Sequence, residues 1–189
     1  YENNIGDFLI TKRESIFGVL CENYHGDALT TTREAWMNEI EVLQRALIPW
    51  KESDGQIVFE YDIPRLGKRV DVVLLLKGIV FCLEFKVGVS KILENDVDQV
   101  LDYALDLKNF HKYSQDKVIV PILIATRYGK SSTLIQKSIY DDGVVNPLVT
   151  GEQGLSNLLK EVTKYFPKEE PVNKKWIISP YAPTPTIIE

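Results

Sequence analysis

The sequence predicts an α/β fold in which a mixed four-stranded sheet is flanked by helices, with additions at both ends. Three observations lead there. Two apolar runs, residues 68–76 and 79–86, flank Lys77-Gly78, which reads as the two-residue loop of a β-hairpin. On either side of that hairpin, residues 33–48 and 97–110 carry apolar side chains at helical spacing. A continuous run rich in β-branched residues, 118–125, follows the second helix. A strand that returns after a helix can lie parallel to its neighbour. The order is therefore helix, three strands, helix, strand.

The elements follow in turn. Residues 7–20 suggest one opening helix, and the threonines at 30–32 a cap for the next. In the 33–48 helix, Trp36, Ile40, Leu43 and Leu47 form one apolar face. Glu39 falls roughly 60° from the centre of that face at about 100° per residue. Pro49 ends the helix. Residues 57–62 alternate as a strand, and Pro64 and Gly67 make the turn into the hairpin. Asn95 or Asp96 is the expected cap of the 97–110 helix. Pro121 inside the 118–125 strand implies an edge or a bulge. Residues 139–149 suggest a further strand and turn, and 154–166 a last amphipathic helix. The proline-rich 179–189 reads as an extended linker closing a domain of residues 1–178.

Composition narrows the function. The 189 residues, 44% of them hydrophobic, suffice for one domain with a real core. No apolar run approaches membrane-spanning length and no basic leader opens the chain. Two cysteines without metal spacing, Cys21 and Cys82, suggest a reduced, cytoplasmic setting, with Cys82 a core residue. A net charge of −5 argues against a protein that coats nucleic acid. It does not argue against a metal site, which itself needs acids. Trp36, Trp50 and Trp176 are expected as packing residues, and His25 and His111 as surface or capping residues.

The hairpin carries the chemistry. If Leu76 faces Ile79, counting back places Asp71 opposite Glu84. Opposed side chains have Cβ atoms about 4.5–5.5 Å apart, and like charges there repel. The pair calls for a cation. Lys86, two residues past Glu84, shares its face. Two carboxylates around a divalent ion with a lysine alongside describe a hydrolytic site for phosphodiesters.

Asp71, twelve intervening residues, then Glu84-Phe85-Lys86 resembles the D-(x)n-E-x-K signature of the PD-(D/E)XK nuclease superfamily. The helix–three strands–helix–strand order is similar to that superfamily's restriction-endonuclease-like αβββαβ core. Gln99-Val-Leu-Asp-Tyr103 resembles the Q-x-x-x-Y motif of its RecB-like branch, and Glu39 stands where an upstream acid is expected. Residue 70 is Val where the signature often has Pro. The resemblance covers residues 33–125. More narrowly, residues 33–39, the hairpin and the 179–185 tail look like the N-terminal region of bacterial Schlafen-like DNA/RNA helicases.

The resemblance implies a metal-dependent nuclease with Asp71, Glu84, Lys86 and Glu39 as catalytic residues. Asp71, Glu84 and Glu39 would hold Mg²⁺ or Mn²⁺, Glu39 directly or through water. Lys86 would orient the attacking water or meet developing negative charge. Gln99 and Tyr103, one helical turn apart, would contact the nucleic-acid backbone or support Lys86. The implied partners are nucleic acid, DNA ahead of RNA, and a C-terminal helicase domain in cis. Three alternatives stay open: a catalytically silent module that only binds nucleic acid or a partner, a plain ion-pair network, and a structural adaptor for a following motor with no nucleic-acid contact. In the second, Arg69 faces Lys86, and the diagonal pairs Arg69–Glu84 and Asp71–Lys86 contribute about 0–1 kcal/mol each.

Overall fold

The computed structural model describes residues 1–24, 30–136, 142–166, 170–172 and 175–185. Its chain order is β1 (Glu2–Asn4), α1 (Ile5–Ile10), α2 (Arg13–Asn23), α3 (Thr30–Ala46), β2 (Gln56–Ile63), β3 (Lys68–Leu76), β4 (Ile79–Lys86), α4 (Glu94–Phe110), β5 (Ile119–Ala125), β6 (Leu148–Thr150) and α5 (Leu155–Tyr165). The architecture is mixed α/β. Among the described residues the sheet has six strands in the order β1-β2-β3-β4-β5-β6 rather than the four expected, because β1 and β6 each extend an edge. Strands β1 to β4 run antiparallel, and β5 and β6 run parallel to β4. No helix among the described residues is long and apolar enough to cross a membrane.

The hairpin register is the one counted from sequence, with Leu76 opposite Ile79. Lys77 and Gly78 both take positive φ, 53° and 81°, as the turn matching the strands' right-handed twist requires. Alternation along the strands divides the core between two faces. The front face packs α1, α2, α3 and α5 against Ile57, Phe59, Val72, Leu74, Phe81 and Leu83. The back face packs Val100, Ala104 and Leu107 of α4, with Trp176, against Val58, Tyr61, Val70, Val73 and Cys82. The four expected face residues of α3 are buried, as are Cys82, Trp50 and Trp176.

Several local expectations fail for identifiable reasons. The opening helix is two helices, α1 and α2, parted by extended backbone at Thr11 and Lys12. Neither Asn95 nor Asp96 caps α4, which starts one turn early behind Leu93 with no side-chain cap. Strand β5 is interior rather than an edge. Pro121 is tolerated because Ile119 N–H donates to Gly143 on the β6 side, so residue 121 faces the same way, and the β6 ladder starts only at Ile122. His111 is fully buried. His25 and part of the 139–149 segment lie outside the described residues, and β6 accounts for the end of that segment. The proline-rich tail runs extended against the end of α4, with Ala182 and Thr184 N–H donating to Phe110 and Asn109 carbonyls and Tyr181 stacked on Phe110.

Candidate functional site

The sheet splits where the predicted acids lie. The β3–β4 ladder ends at Val72 opposite Leu83. Below that rung β3 continues only with β2, through Val70, Arg69 and Lys68. Strand β4 continues only with β5, through Glu84, Phe85 and Lys86. Asp71 and Glu84 are the first residues past the split. The Phe85 N–H, left without a ladder partner in β3, donates to Asp71 Oδ2 at 2.9 Å. The aspartate thus caps the fork as well as facing it.

The neighbouring rung is distorted too. Phe59 packs on the front face and Tyr61 on the back, although residues two apart in a strand share a face. The same inversion separates Val72 from Val70. Between them lie Glu60 and Asp71, the one rung missing from the β2–β3 ladder. Glu60 takes a φ of 55°, left-handed backbone in the middle of a strand. Strain of this kind persists where the surroundings over-determine it and concentrates at functional sites. Here Glu60 accepts from Trp36 Nε1 at 2.9 Å, and its other oxygen meets Arg69 Nε at 2.6 Å.

The inversion lets acids from both sides of the sheet approach one another. Glu39 comes from front-face α3, while Glu84 has the back-face parity of Cys82. Glu39 and Glu84 are each only 4% exposed. One carboxylate oxygen of each, Oε2, is buried without a hydrogen-bond partner. All four carboxyls titrate high. Burial pushes Glu39 well up, with repulsion from Asp71, Glu60 and Glu84 adding to it. Burial and then Glu84 push Asp71 up to about 7, against the Phe85 N–H and Lys86. Burial raises Glu84 despite Lys86, and raises Glu60 despite Trp36 and Arg69.

Lys86 is held from three directions. Its ammonium donates to Glu84 Oε1 and Gln99 Oε1, each at 3.0 Å, and lies 3.5 Å from Asp96. Gln99 in turn donates to Tyr103 Oη at 2.8 Å. Burial would lower the lysine's pKa, but Glu84 and then Asp96 more than offset it, so the net shift is upward. The structure therefore brings together Asp71, Glu84, Lys86, Gln99 and Tyr103, and sets Glu39 within their field.

The ion pairs proposed as the bland alternative do not form. Arg69 pairs with Glu60 rather than Glu84 and does not face Lys86, because the fork has already parted their strands. Sequence reasoning missed Glu60 and the ion-pairing role of Asp96. Counting across the Pro64–Gly67 turn from Ile63 opposite Lys68 would have put Glu60 beside Asp71. Among the described residues, no three acidic, histidine or cysteine side chains are spaced to close around a metal as they stand. Mg²⁺ needs no such cage, since it keeps several waters and is bound through one or two carboxylates. Paired hard carboxylates with orphaned buried oxygens fit that requirement. The chain matches no family model and no curated protein.

Proposed function

We propose that this chain is a metal-dependent nuclease domain built on a restriction-endonuclease-like core, hydrolysing phosphodiester bonds of nucleic acid, DNA ahead of RNA. The observation that carries the reading is the fork: Asp71 and Glu84 leave their ladder together, and Glu84 keeps a buried oxygen with no partner. Burying carboxylates is expensive, and Lys86 compensates only one oxygen of Glu84, which favours a role beyond structure. The α3-β2-β3-β4-α4-β5 order supports the core assignment. The coupling to a helicase in cis rests on the resemblance of the tail.

Asp71 and Glu84 would hold Mg²⁺ or Mn²⁺, with Glu39 behind them. When bound, the ion lowers the pKa of a coordinated water and neutralises phosphate charge. The protein's own contribution is charge placement. Lys86, with its pKa raised, stays protonated at neutral pH and is no general base. It presents fixed positive charge to phosphate oxygens as negative charge grows on them. The Tyr103–Gln99 chain fixes the ammonium by hydrogen bonds to its amide, so little reorganises during reaction. The Phe85 N–H orients Asp71 in the same way.

The test incubates the chain with end-labelled DNA and RNA in Mg²⁺, Mn²⁺ or EDTA, beside Asp71→Ala and Lys86→Ala. Metal-dependent product lost in both variants is expected. Equal cleavage by all three proteins overturns the reading. The net charge of −5 favours a second reading, a silent module, for which binding survives EDTA and no product forms.

A further inference from the structure

Beside the fork, on the front of the sheet, a cavity of about 410 Å³ opens between α2 and strands β2 and β3. That volume lies within the range of small-molecule sites. Its floor is apolar, from Leu20 and Phe59, and its wall carries Tyr24, Arg69, Glu60 and Asp62. The Arg69 guanidinium lies over the Tyr24 ring, 5.3 Å from its centre. Trp36 buttresses Tyr24 edge-on at 5.4 Å. Glu60 belongs to both places: it lines this cavity and its charge is felt by Glu39 in the fork. Arg69 is two residues from Asp71 along β3, a separation of about 7 Å.

We propose that this cavity is a nucleobase subsite, taking one unstacked base from the strand whose phosphate lies at the fork. The chemistry selects a base over an anion. The arginine's charge is already matched by Glu60 at 2.6 Å. Asp62 adds a second negative charge against Arg69 and the Tyr1 amino terminus, so these groups sum to no net positive charge that would hold phosphate. A neutral planar ring with N–H donors fits all three features: the tyrosine–arginine stack, the apolar floor, and an exposed carboxylate that accepts from amino or ring N–H groups. Guanine, cytosine and adenine present such donors; of these, guanine presents two adjacent ones. A site for an unstacked base favours single strands or frayed ends.

The proposal rests on the nuclease reading for its strand but not for its binding, so the two fail separately. The experiment titrates GMP, AMP, CMP, UMP and inorganic phosphate into the full 189-residue chain in EDTA, following tryptophan fluorescence and heat. Mononucleotides are expected to bind and phosphate is not, with GMP tightest. Tyr24→Ala is expected to weaken binding about five- to a hundredfold, the range for one lost base–aromatic stack. Asp62→Asn, on an exposed side chain that tolerates substitution, is expected to abolish the preference for GMP. Phosphate binding as tightly as the nucleotides overturns the proposal, as does an Asp62→Asn protein with unchanged base preference. Nucleotide binding in a chain that cleaves nothing sinks the nuclease reading and leaves the subsite standing.

Discussion

The molecule buries two polar clusters on its sheet, and they are satisfied very differently. Behind the sheet, Trp176 Nε1 donates to Ser114, Ser114 bonds His111 Nδ1, His111 Nε2 bonds Tyr61 Oη, and Tyr61 donates to the Ile177 carbonyl, at 2.8, 2.8, 2.9 and 3.4 Å. One direction of donation runs through the chain, and it fits a neutral imidazole carrying its proton on Nε2. At the fork, four carboxyls converge and two keep an unpartnered oxygen. Fully satisfied networks rigidify a core, whereas partly satisfied ones cost stability. The back cluster pins the C-terminal turn at Trp176 to the end of α4. The fork holds its acids at the expense of stability, and that difference supports the proposal that it is the working site.

The largest expected effect breaks the comparison with one substitution. In Asp71→Asn, the amide oxygen still accepts from Phe85 N–H and the amide nitrogen can donate to Glu84. Charge repulsion disappears while the geometry stays. Cleavage is expected to fall by on the order of 10³-fold or more. Stability in EDTA at pH 8 is expected to rise by about 1–2 kcal/mol, because a carboxyl with a raised pKa destabilises the fold once ionised. Urea unfolding beside a gel cleavage assay reads both. A loss of stability in this variant would return the fork to the class of ordinary ion-pair networks.

The back cluster should behave in the opposite way. His111→Ala removes a ring that is wholly buried and orphans Tyr61 and Ser114. A loss of about 3–5 kcal/mol is expected. Cleavage per folded molecule should be unchanged, since the ring's hydrogen-bond partners, Tyr61 and Ser114, are neither fork carboxyls nor partners of Lys86. A midpoint shift in urea measures the first, and activity at low temperature the second.

These two clusters also show what the sequence made legible. The hairpin could be read because Lys77-Gly78 sets its register, and that register alone places Asp71 beside Glu84. Gln99 and Tyr103 could be read because helical spacing is rigid. Glu60 could be read only in part: register counted across the 64–67 turn puts it opposite Asp71, but its left-handed backbone inverts the alternation that would assign its face. His111 could not be read: its partners come from Tyr61, 50 residues earlier, and Trp176, 65 residues later, through Ser114. No local pattern reports contacts that distant. The edge strands β1 and β6 are three residues each, too short for any alternation to show.

The pH dependence of stability sharpens the contrast at a smaller scale. Burial lowers His111 to about 4 from its ordinary value near 6.5. Between those values the unfolded chain binds a proton that the folded one does not, so this cluster's contribution is complete above pH 6.5 and is lost as pH falls towards 4. Asp71 runs the other way. Its folded value of about 7 lies above its unfolded one, so its contribution is present below about pH 4 and is lost as pH rises through 7. In EDTA the two slopes oppose each other between pH 4 and 7. Asp71→Asn should remove one of the four falling carboxylate contributions and so steepen the net rise towards pH 6.5, and His111→Ala should leave the falling carboxylate slope. Saturating Mn²⁺ should also flatten the carboxylate slope in the parent, and at a hundredfold over its dissociation constant it should stabilise the fold by about 2.7 kcal/mol. Denaturant midpoints across pH, with and without metal, test the set. Parallel profiles in both variants would mean that neither group titrates as its surroundings dictate.

The smallest expected effect falls on Glu60, which belongs to both the fork and the adjoining cavity. Glu60→Gln keeps an oxygen for Trp36 Nε1 and the same strained backbone, but removes the charge that balances Arg69. Losing one repelling acid near Glu39 offsets the lost ion pair, which is partly exposed on the arginine side, so the net change should stay within about 1 kcal/mol. The diagnostic readout is elsewhere. With Glu60 neutral, Arg69 is opposed by Asp62 alone, and binding of inorganic phosphate in the adjoining cavity should increase. If stability moves little and phosphate binding increases, the glutamate's work is to set the sign of charge in that wall. If stability collapses instead, its carboxylate is a structural strut between α3 and β3, and the strain at φ 55° is held for packing alone.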